Sequence, residues 1–487
     1  MKYGVYIELF GEFYEGTVFI YGTTLLLIYA FLAIMSLVAV RKFKVLDSRV
    51  DYTLLLNSIH TPGISVIAPA YNETITILEN VHSLLNLNYP KYEVIIVNDG
   101  STDDSLEKMI AEFDLIEVDF AYNERLKTKP VKRIFRSTNL AYSKLVVVDK
   151  INGKSKADAS NAGINVSSFD YFLCTDVDSI LDRDAIMKLI KPIMEETDKR
   201  LIAIGATLRM ANSCVVDQGF MQKVVMPKQL LPRFQEIEYI RSFVMGKMGW
   251  STINSVPNVS GGLGLFDREI VINSGGYDPN SFGEDMELVI RMMVYCVNYN
   301  IDYSIRYIPL TLCWTEGPST LRVYGRQRSR WARGLAQLMY AHRKVIFNPR
   351  YGKLGLIVMP YNFVFELLAP IVEALGIIYY IIIIILDAVN WPYAILLLVF
   401  VYSYAIMIST LSILWDQLTY HTYKTWREIL LLCFTAMFEM IIYHPLIVFF
   451  SLKGYFNFLA NRKHSWGNMQ RQGFGQAAQT RAITASN

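Results

Sequence analysis

Between Thr17 and Val40 the chain runs for about 24 residues without a charged side chain, enough as helix to cross a hydrocarbon core of ~30 Å. Arg41-Lys42-Phe43-Lys44 follows at once, whereas residues 1–15 carry Glu8, Glu12 and Glu15 against Lys2 alone. A secretory leader places its basic residues before a shorter apolar run and small residues at a cleavage site after it, so this run reads as a transmembrane helix. The excess of positive charge on the cytoplasmic side then sets the N-terminus outside and everything after Lys44 inside. Three more apolar blocks close the chain: Leu354–Leu386, Trp391–Trp415 and Ile429–Leu452. The first, near 50 Å as helix, is too short for two crossings. It reads as an interfacial or re-entrant piece, Leu354–Phe365, followed by one span. Three C-terminal spans would keep the 416–428 loop, with Lys424 and Arg427, inside. They would carry a tail with Arg462, Lys463 and Arg471 outside, against the charge rule, and the sequence leaves that conflict standing.

Four apolar blocks do not account for the whole chain. Of 487 residues 53% are hydrophobic and 19% charged, with mean hydropathy +0.27, which is too apolar for an average soluble protein and too charged for one wholly in the membrane. The chain divides into residues 1–44 with the helix at 17–40, a polar domain at 45–345 that includes an interfacial helix, a membrane domain at 346–460, and a polar tail at 461–487. The net charge of +3 and the lack of a basic stripe interleaved with aromatics argue against a nucleic-acid partner. Five cysteines without CxxC or zinc-like spacing read as ordinary buried thiols.

From Gly63 to about Val345 short β-rich runs alternate with amphipathic ones, an α/β pattern. Ile64–Ala68 ends at Pro69, and Val94–Val97 ends at Asn98-Asp99-Gly100-Ser101; both read as buried parallel strands entering polar loops. Between them Ile75, Ile77, Leu78, Val81, Leu84 and Leu85 have helical spacing, which completes a βαβ unit. Leu145–Val148, Tyr171–Cys174 and Leu201–Ile204 extend the sheet. Ligands of such sheets gather outside the carboxyl ends of the strands, where this chain concentrates Asp, Asn and Glu.

Four clusters there can carry chemistry. Tyr71, Glu73 and Asp99 close two strands, and an aromatic face with carboxylate acceptors suits a nucleobase, although a turn and a helix-cap neighbour explain the same residues. Lys156, in Asn152-Gly153-Lys154-Ser155-Lys156, enters a helix where diphosphate oxygens bind well; a solvated lysine is an equal alternative. Asp176 and Asp178 stand at i,i+2 on a strand end, pointing the same way, so both reach one hard cation such as Mg²⁺ or Mn²⁺. Glu284-Asp285-Met286-Glu287 opens an apolar-periodic helix, where acids cap and one carboxylate can act as a general base.

Taken in order, AYNE, VNDGS, KSKAD, TDVD, GGLGLF, GED and QRSRW (residues 327–331) resemble the membrane-bound family 2 glycosyltransferases, the group of cellulose, hyaluronan, chitin and poly-N-acetylglucosamine synthases, and most of all the last. The resemblance covers residues 63–345, with membrane segments on both sides. It implies a GT-A fold, a Rossmann-like nucleotide-diphospho-sugar transferase domain inserted between transmembrane helices, and a UDP-sugar donor. Position by position, it implies that Tyr71, Glu73 and Asp99 hold uridine, that Lys156 lies near the nucleotide, and that Asp176 contacts the nucleotide sugar. Asp178, with Asp176, would hold Mg²⁺ or Mn²⁺ on the diphosphate, and Asp285 would be the base. Gln327, Arg330 and Trp331 match the Gln-x-x-Arg-Trp signature: Arg330 to neutralise the leaving diphosphate, Trp331 to stack on the acceptor sugar.

Within that resemblance Glu316 reads as structural and not as a second base, Phe234–Tyr239 resembles an acceptor-side helix, and the basic segment 115–150 is an addition to the compact core. The implied function is an inverting β-glycosyltransferase that extends a polysaccharide from UDP-N-acetylglucosamine or UDP-glucose at the inner membrane, processively and with export. Accessory export subunits are implied partners, and Glu366, Glu373, Glu439 and His444 read as lining a polar exit path, with the interface an equal alternative for Glu366 and Glu373. Two alternatives stay open: single transfer to a lipid acceptor, and a catalytically silent scaffold.

Overall fold

The computed structural model describes residues 2–48, 50–52, 56–217 and 219–460, with side chains from residue 13 onward. The polar tail at 461–487, with Arg462, Lys463 and Arg471, lies outside the described residues.

Twelve strands are described: β1 (Ile64–Ala70), β2 (Tyr92–Asn98), β3 (Leu115–Glu117), β4 (Val131–Ser137), β5 (Leu145–Lys150), β6 (Tyr171–Thr175), β7 (Ile180–Leu181), β8 (Arg200–Met210), β9 (Val215–Asp217), β10 (Phe220–Lys223), β11 (Leu263–Asp267) and β12 (Tyr303–Thr315). Ten form one mixed sheet in the order β3-β4-β5-β2-β1-β6-β11-β8-β12-β7, and β9 pairs with β10. β5, β2, β1 and β6 are mutually parallel, while β11 runs antiparallel to both its neighbours.

Strand alternation sorts these apolar runs into two cores. Val66, Ala68, Val94, Ile96 and Val147 face one layer with the helix Ile77–Leu85. Ile67, Ile95, Val97, Val146 and Val148 face the other, where Lys156–Val166 packs. The expected first helix begins two residues later than its apolar spacing implied: Thr74–Thr76 form a turn, and Ile75 is 78% exposed. The basic segment 115–150 supplies the sheet edge, since β4 lies antiparallel on β5 and Arg133 pairs with Asp149 at 2.9 Å. Its Lys127, Lys129, Lys132 and Arg136 are exposed, which discourages further strand addition.

Among the described residues, three helices are long and apolar enough to cross a membrane: Phe13–Asp47, Leu354–Ile385 and Trp391–Tyr420. A fourth candidate is the pair Trp426–Met437 and Glu439–Leu459, bent by 47°. The piece at Leu354–Phe365 is helically continuous with the run that follows it, and its first turns, through Leu354, Val358 and Met359, are buried against the second core. The first helix docks its last third on the sheet domain: Ser36 donates to the Val244 carbonyl at 2.5 Å, and Lys191 pairs with Asp47 at 3.0 Å.

Between sheet and apolar helices lies a layer made by Leu230–Ile240, its continuation through a wider turn at Arg241–Lys247, and Leu321–Ala341. Buried ion pairs lock it. Arg209 of β8, 1% exposed, donates to Glu236 at 2.8 Å and to Asp416 of Trp391–Tyr420, and Tyr423 donates to Glu236 at 2.7 Å. Arg241 grips Glu439 through two nitrogens at 2.7 and 2.9 Å, with Ser409 alongside. Arg328 donates to Glu238 at 2.7 Å, and Tyr443 donates to the same carboxylate at 2.6 Å. His444 and Glu373 meet at 2.7 Å, and Tyr361 donates to Glu366 at 3.2 Å, so all four intramembrane candidates have protein partners.

Candidate active site

Three strand ends and one helix start converge on an open cleft. Pro69, Ala70, Tyr71 and Glu73 line it from the end of β1, Asp99 from β2, Asp176, Val177 and Asp178 from β6, and Lys156 and Ala159 from the helix. Six of the residues singled out in the sequence therefore share one wall. The loops after β1 and β2 are zipped together: Asn72 N–H donates to Ser101 at 3.0 Å, Thr102 N–H to the Asn72 side chain at 2.8 Å, and Glu73 N–H to Ser105 at 3.1 Å. Gly100, at φ +64°, has the Asn152 amide 2.8 Å from where a Cβ would stand, so only glycine brings these loops together. Glu73 also caps locally, its carbonyl accepting from Thr76 and Ile77.

Asp99 is held by Lys150, which the sequence reading passed over. Lys150 is fully buried and reaches Asp99 at 2.6 Å, Asp158 at 2.5 Å and the Ile151 carbonyl at 2.7 Å. Burial pushes the Asp99 carboxyl up, and the bonds from Lys150 and the Gly153 N–H pull against that. The signal for Lys150 was a cation closing the otherwise apolar run Leu145–Val148.

The expected strand geometry of the Asp-x-Asp pair needs correction. β6 ends at Thr175, and Asp176 to Asp178 form a turn in which Ser179 N–H bonds back to the Asp176 carbonyl. Both carboxylates reach the cleft through this turn and not through strand alternation. Asp176 is engaged by Lys156, which also donates to the Gly261 carbonyl at 2.7 Å. Burial alone would push Lys156 down; Asp176, with Glu284 further off, outweighs it and holds the ammonium above the usual lysine range. Two hard carboxylates on an open cleft suit Mg²⁺ or Mn²⁺ if diphosphate oxygens complete the shell. No cluster of three or more His, Cys, Asp or Glu among the described residues could hold such an ion without them.

On the far side of Gly261 stands Asp285, whose Oδ2 accepts the Gly261 N–H at 3.1 Å and whose Oδ1 accepts from Met286 at 2.9 Å. Glu284 beside it is pushed up by burial and by the like charge of Asp285, against Arg330 and Lys156. Arg330 arrives there because Thr320 caps the helix Leu321–Ala341 and Gly334 lets it press on the preceding loop: a Cβ on Gly334 would stand 2.7 Å from the Gly283 nitrogen. Arg333 over the Phe282 ring at 3.9 Å and Gln337, bonded to Phe282 and Asn280, hold that seam.

Arg330 makes no ion pair among the described residues, and its Nε is buried without a hydrogen-bond partner. Gln327 instead accepts from Gln235 at 2.7 Å, and Trp331 carries the Arg328 guanidinium on its ring at 4.7 Å. Glu316 neighbours Gly317, which Asn212 pins through both its backbone groups. Gln235 falls within Phe234–Tyr239, the helix singled out in the sequence, whereas Arg209 was missed, because only the tertiary fold buries it.

A mixed sheet in which the parallel strands β1, β2 and β6 deliver carboxylates to one cleft at their carboxyl ends is the arrangement of the GT-A class of sugar transferases. The model for glycosyl transferase family 2 matches residues 65–209, and that for glycosyl transferase family group 2 matches residues 171–452. The chain belongs to the family 2 glycosyltransferases and is an enzyme of that kind. A probable glycosyltransferase of Bacillus subtilis, YdaM, is 30% identical over 307 residues, 60% of this chain and 61% of that protein. A poly-β-1,6-N-acetyl-D-glucosamine synthase of Staphylococcus epidermidis is 28% identical over 294 residues, 60% of each chain. The match thus spans about 60% of the length of these curated relatives. A mannosyltransferase from Pyrobaculum calidifontis, solved with GDP-mannose and Mn²⁺, aligns with 89% of this chain and 99% of its own at 17% identity and a TM-score of 0.47.

Proposed function

We propose that the protein is an inverting β-glycosyltransferase that uses a UDP-sugar, UDP-N-acetylglucosamine or UDP-glucose, to extend a polysaccharide at the membrane, processively and with export. The observation that carries this reading is the relay through Gly261: its carbonyl accepts from Lys156, which holds Asp176, and its N–H donates to Asp285. A nucleotide-side cation and a carboxylate base are thereby fixed one residue apart.

Tyr71, Glu73 and Asp99 take the uridine, and Lys156 faces the diphosphate. Asp285 removes the proton of an acceptor hydroxyl; that oxygen bonds to C1 of the α-linked sugar as the C1–O bond to diphosphate breaks, and the electron pair leaves with UDP. Inversion gives a β-linkage. Arg330, which makes no ion pair among the described residues and whose buried Nε has no acceptor, meets the charge that develops on the diphosphate, and Gln327 and Trp331 shape the acceptor side. Mg²⁺ or Mn²⁺ held by Asp178 and Asp176 would neutralise diphosphate charge.

The test is to incubate purified full-length protein with one radiolabelled UDP-sugar at a time and size the product. Long β-linked polymer is expected; a single sugar on a lipid would replace this reading with lipid glycosylation, and absence of UDP release with every donor would sink it.

A further inference from the structure

Behind the wall of the cleft, at the end of β5, the three N–H donors of Lys150 meet three oxygens. They are Asp99 Oδ1 at 2.6 Å, Asp158 Oδ2 at 2.5 Å and the Ile151 carbonyl at 2.7 Å. The side chain is fully buried, so an ammonium with every donor engaged has one position open to it. Of Lys150, Asp99 and Asp158, only Asp99 lines the cleft.

Asp99 is fixed on every side but one. Its N–H donates to the Ala70 carbonyl at the end of β1 at 2.9 Å, and its Oδ1 accepts from both Lys150 and the Gly153 N–H, the latter at 2.9 Å. Its Oδ2 makes no hydrogen bond among the described residues and is the oxygen left for whatever enters the cleft. Asp158 is pinned in turn. The Lys129 N–H reaches its Oδ1 at 3.1 Å, and Gly153 lies so near that a Cβ there would stand 2.2 Å from its Oδ2.

Two carboxylates withdrawn from water thus share one cation. Without it, their like charges would drive one of them to take up a proton or to turn away. With it, Asp99 presents one ionised oxygen that accepts an N–H and repels a lone pair. The imide N3–H of uracil is such a donor, whereas cytosine, of nearly the same shape, carries a lone pair at N3.

We propose that Lys150 is a positioning residue that sets the base specificity of the donor site, holding Asp99 ionised and turned so that its free oxygen accepts the imide N–H of uracil. This rests on the reading of Asp99 as a partner of the uridine. Lys150 touches neither base nor sugar, and its effect passes through Asp99.

The test uses full-length protein in nanodiscs with Mg²⁺, and the probes are UDP and CDP. Wild type should bind UDP tighter than CDP by about tenfold or more, the effect of one hydrogen bond to a charged group. Lys150→Met should bring the two nucleotides within about twofold of each other, raise the donor KM by about tenfold and leave kcat at saturating donor within about threefold. Lys150→Met combined with Asp158→Asn removes one charge of each sign; it should melt closer to wild type than the single variant and lose the same discrimination. A general loosening of the site would weaken both nucleotides alike and keep their ratio. A wild-type ratio in Lys150→Met, or in the double variant where the single one does not fold, would therefore overturn the proposal, as would loss of the fold in both. Wild-type protein that binds UDP and CDP equally would withdraw the reading of Asp99 itself, and the proposal with it.

Discussion

Arg328 and Arg330 sit two residues apart on one helix and have opposite surroundings. Arg328 is wrapped by Glu238, Tyr443 and the rings of Tyr324 and Trp331, whereas Arg330 makes no ion pair among the described residues, Glu284 acts on it only from beyond ion-pair distance, and its buried Nε has no acceptor. The same contrast holds more widely. Arg209 of β8 and Arg241 and Arg328 of the layer under the sheet are each closed by carboxylates, so their charge is spent on geometry. At the cleft Lys150 and Lys156 are likewise held by Asp99 and Asp176, which leaves Arg330 open toward whatever enters. A paired buried cation fixes where elements stand, and an unpaired one marks where a ligand must.

That contrast is breakable. Asp285→Asn should lower transfer by about 10³-fold or more, with donor binding retained, since it removes the proposed base; wild-type turnover would remove Asp285 from the chemistry. Arg209→Ala leaves Glu236 and Asp416 buried without their cation and should cost about 3–5 kcal/mol of stability, seen as a large drop in melting temperature in detergent. Arg330→Ala should reduce turnover by about 10²-fold while the melting temperature holds, and Arg328→Ala should do the reverse. If both arginine variants fail in the same way, the division into closed and open charge is wrong.

The smallest effect is a pH dependence. An unfolded lysine titrates near 10.5, and burial holds Lys247, 8% exposed at the end of the turn Arg241–Lys247, down to about 8 against the pull of Asp285. Between those values the unfolded chain binds more protons, so folding is favoured increasingly as pH rises through that window. Wild type should gain stability relative to Lys247→Met from about pH 8 to 10.5, and parallel melting curves would deny that burial holds Lys247 down.

Much of the cleft could be read from the chain because strand ends in a parallel sheet must deliver their loops to one edge. Tyr71, Asp99 and Asp176 needed only the βαβ pattern to be placed together. What was not legible depends on distance in sequence. Lys150, just past the strand read at Leu145–Val148, gained its role only when Asp99 and Asp158 closed around it. In the basic segment only Leu145–Val148 carried a strand signal; the charged run Val131–Ser137 becomes a strand by pairing with β5. Ile75 kept helical spacing but lies in the turn before the helix, because the loop after β1 is tied to Ser101 and Asp103 and turns there.

The bent pair Trp426–Met437 and Glu439–Leu459 bears on how many times the chain passes through the bilayer. It begins against the sheet domain, where Tyr423 reaches Glu236 and Glu428 accepts from Met226, and ends against the same domain, with Asn457 on Ser329 and Phe458 beside Tyr340. A bend of 47° does not turn the chain back on itself, so the pair counts as at most one crossing, a fourth beside the three long apolar helices of the described residues.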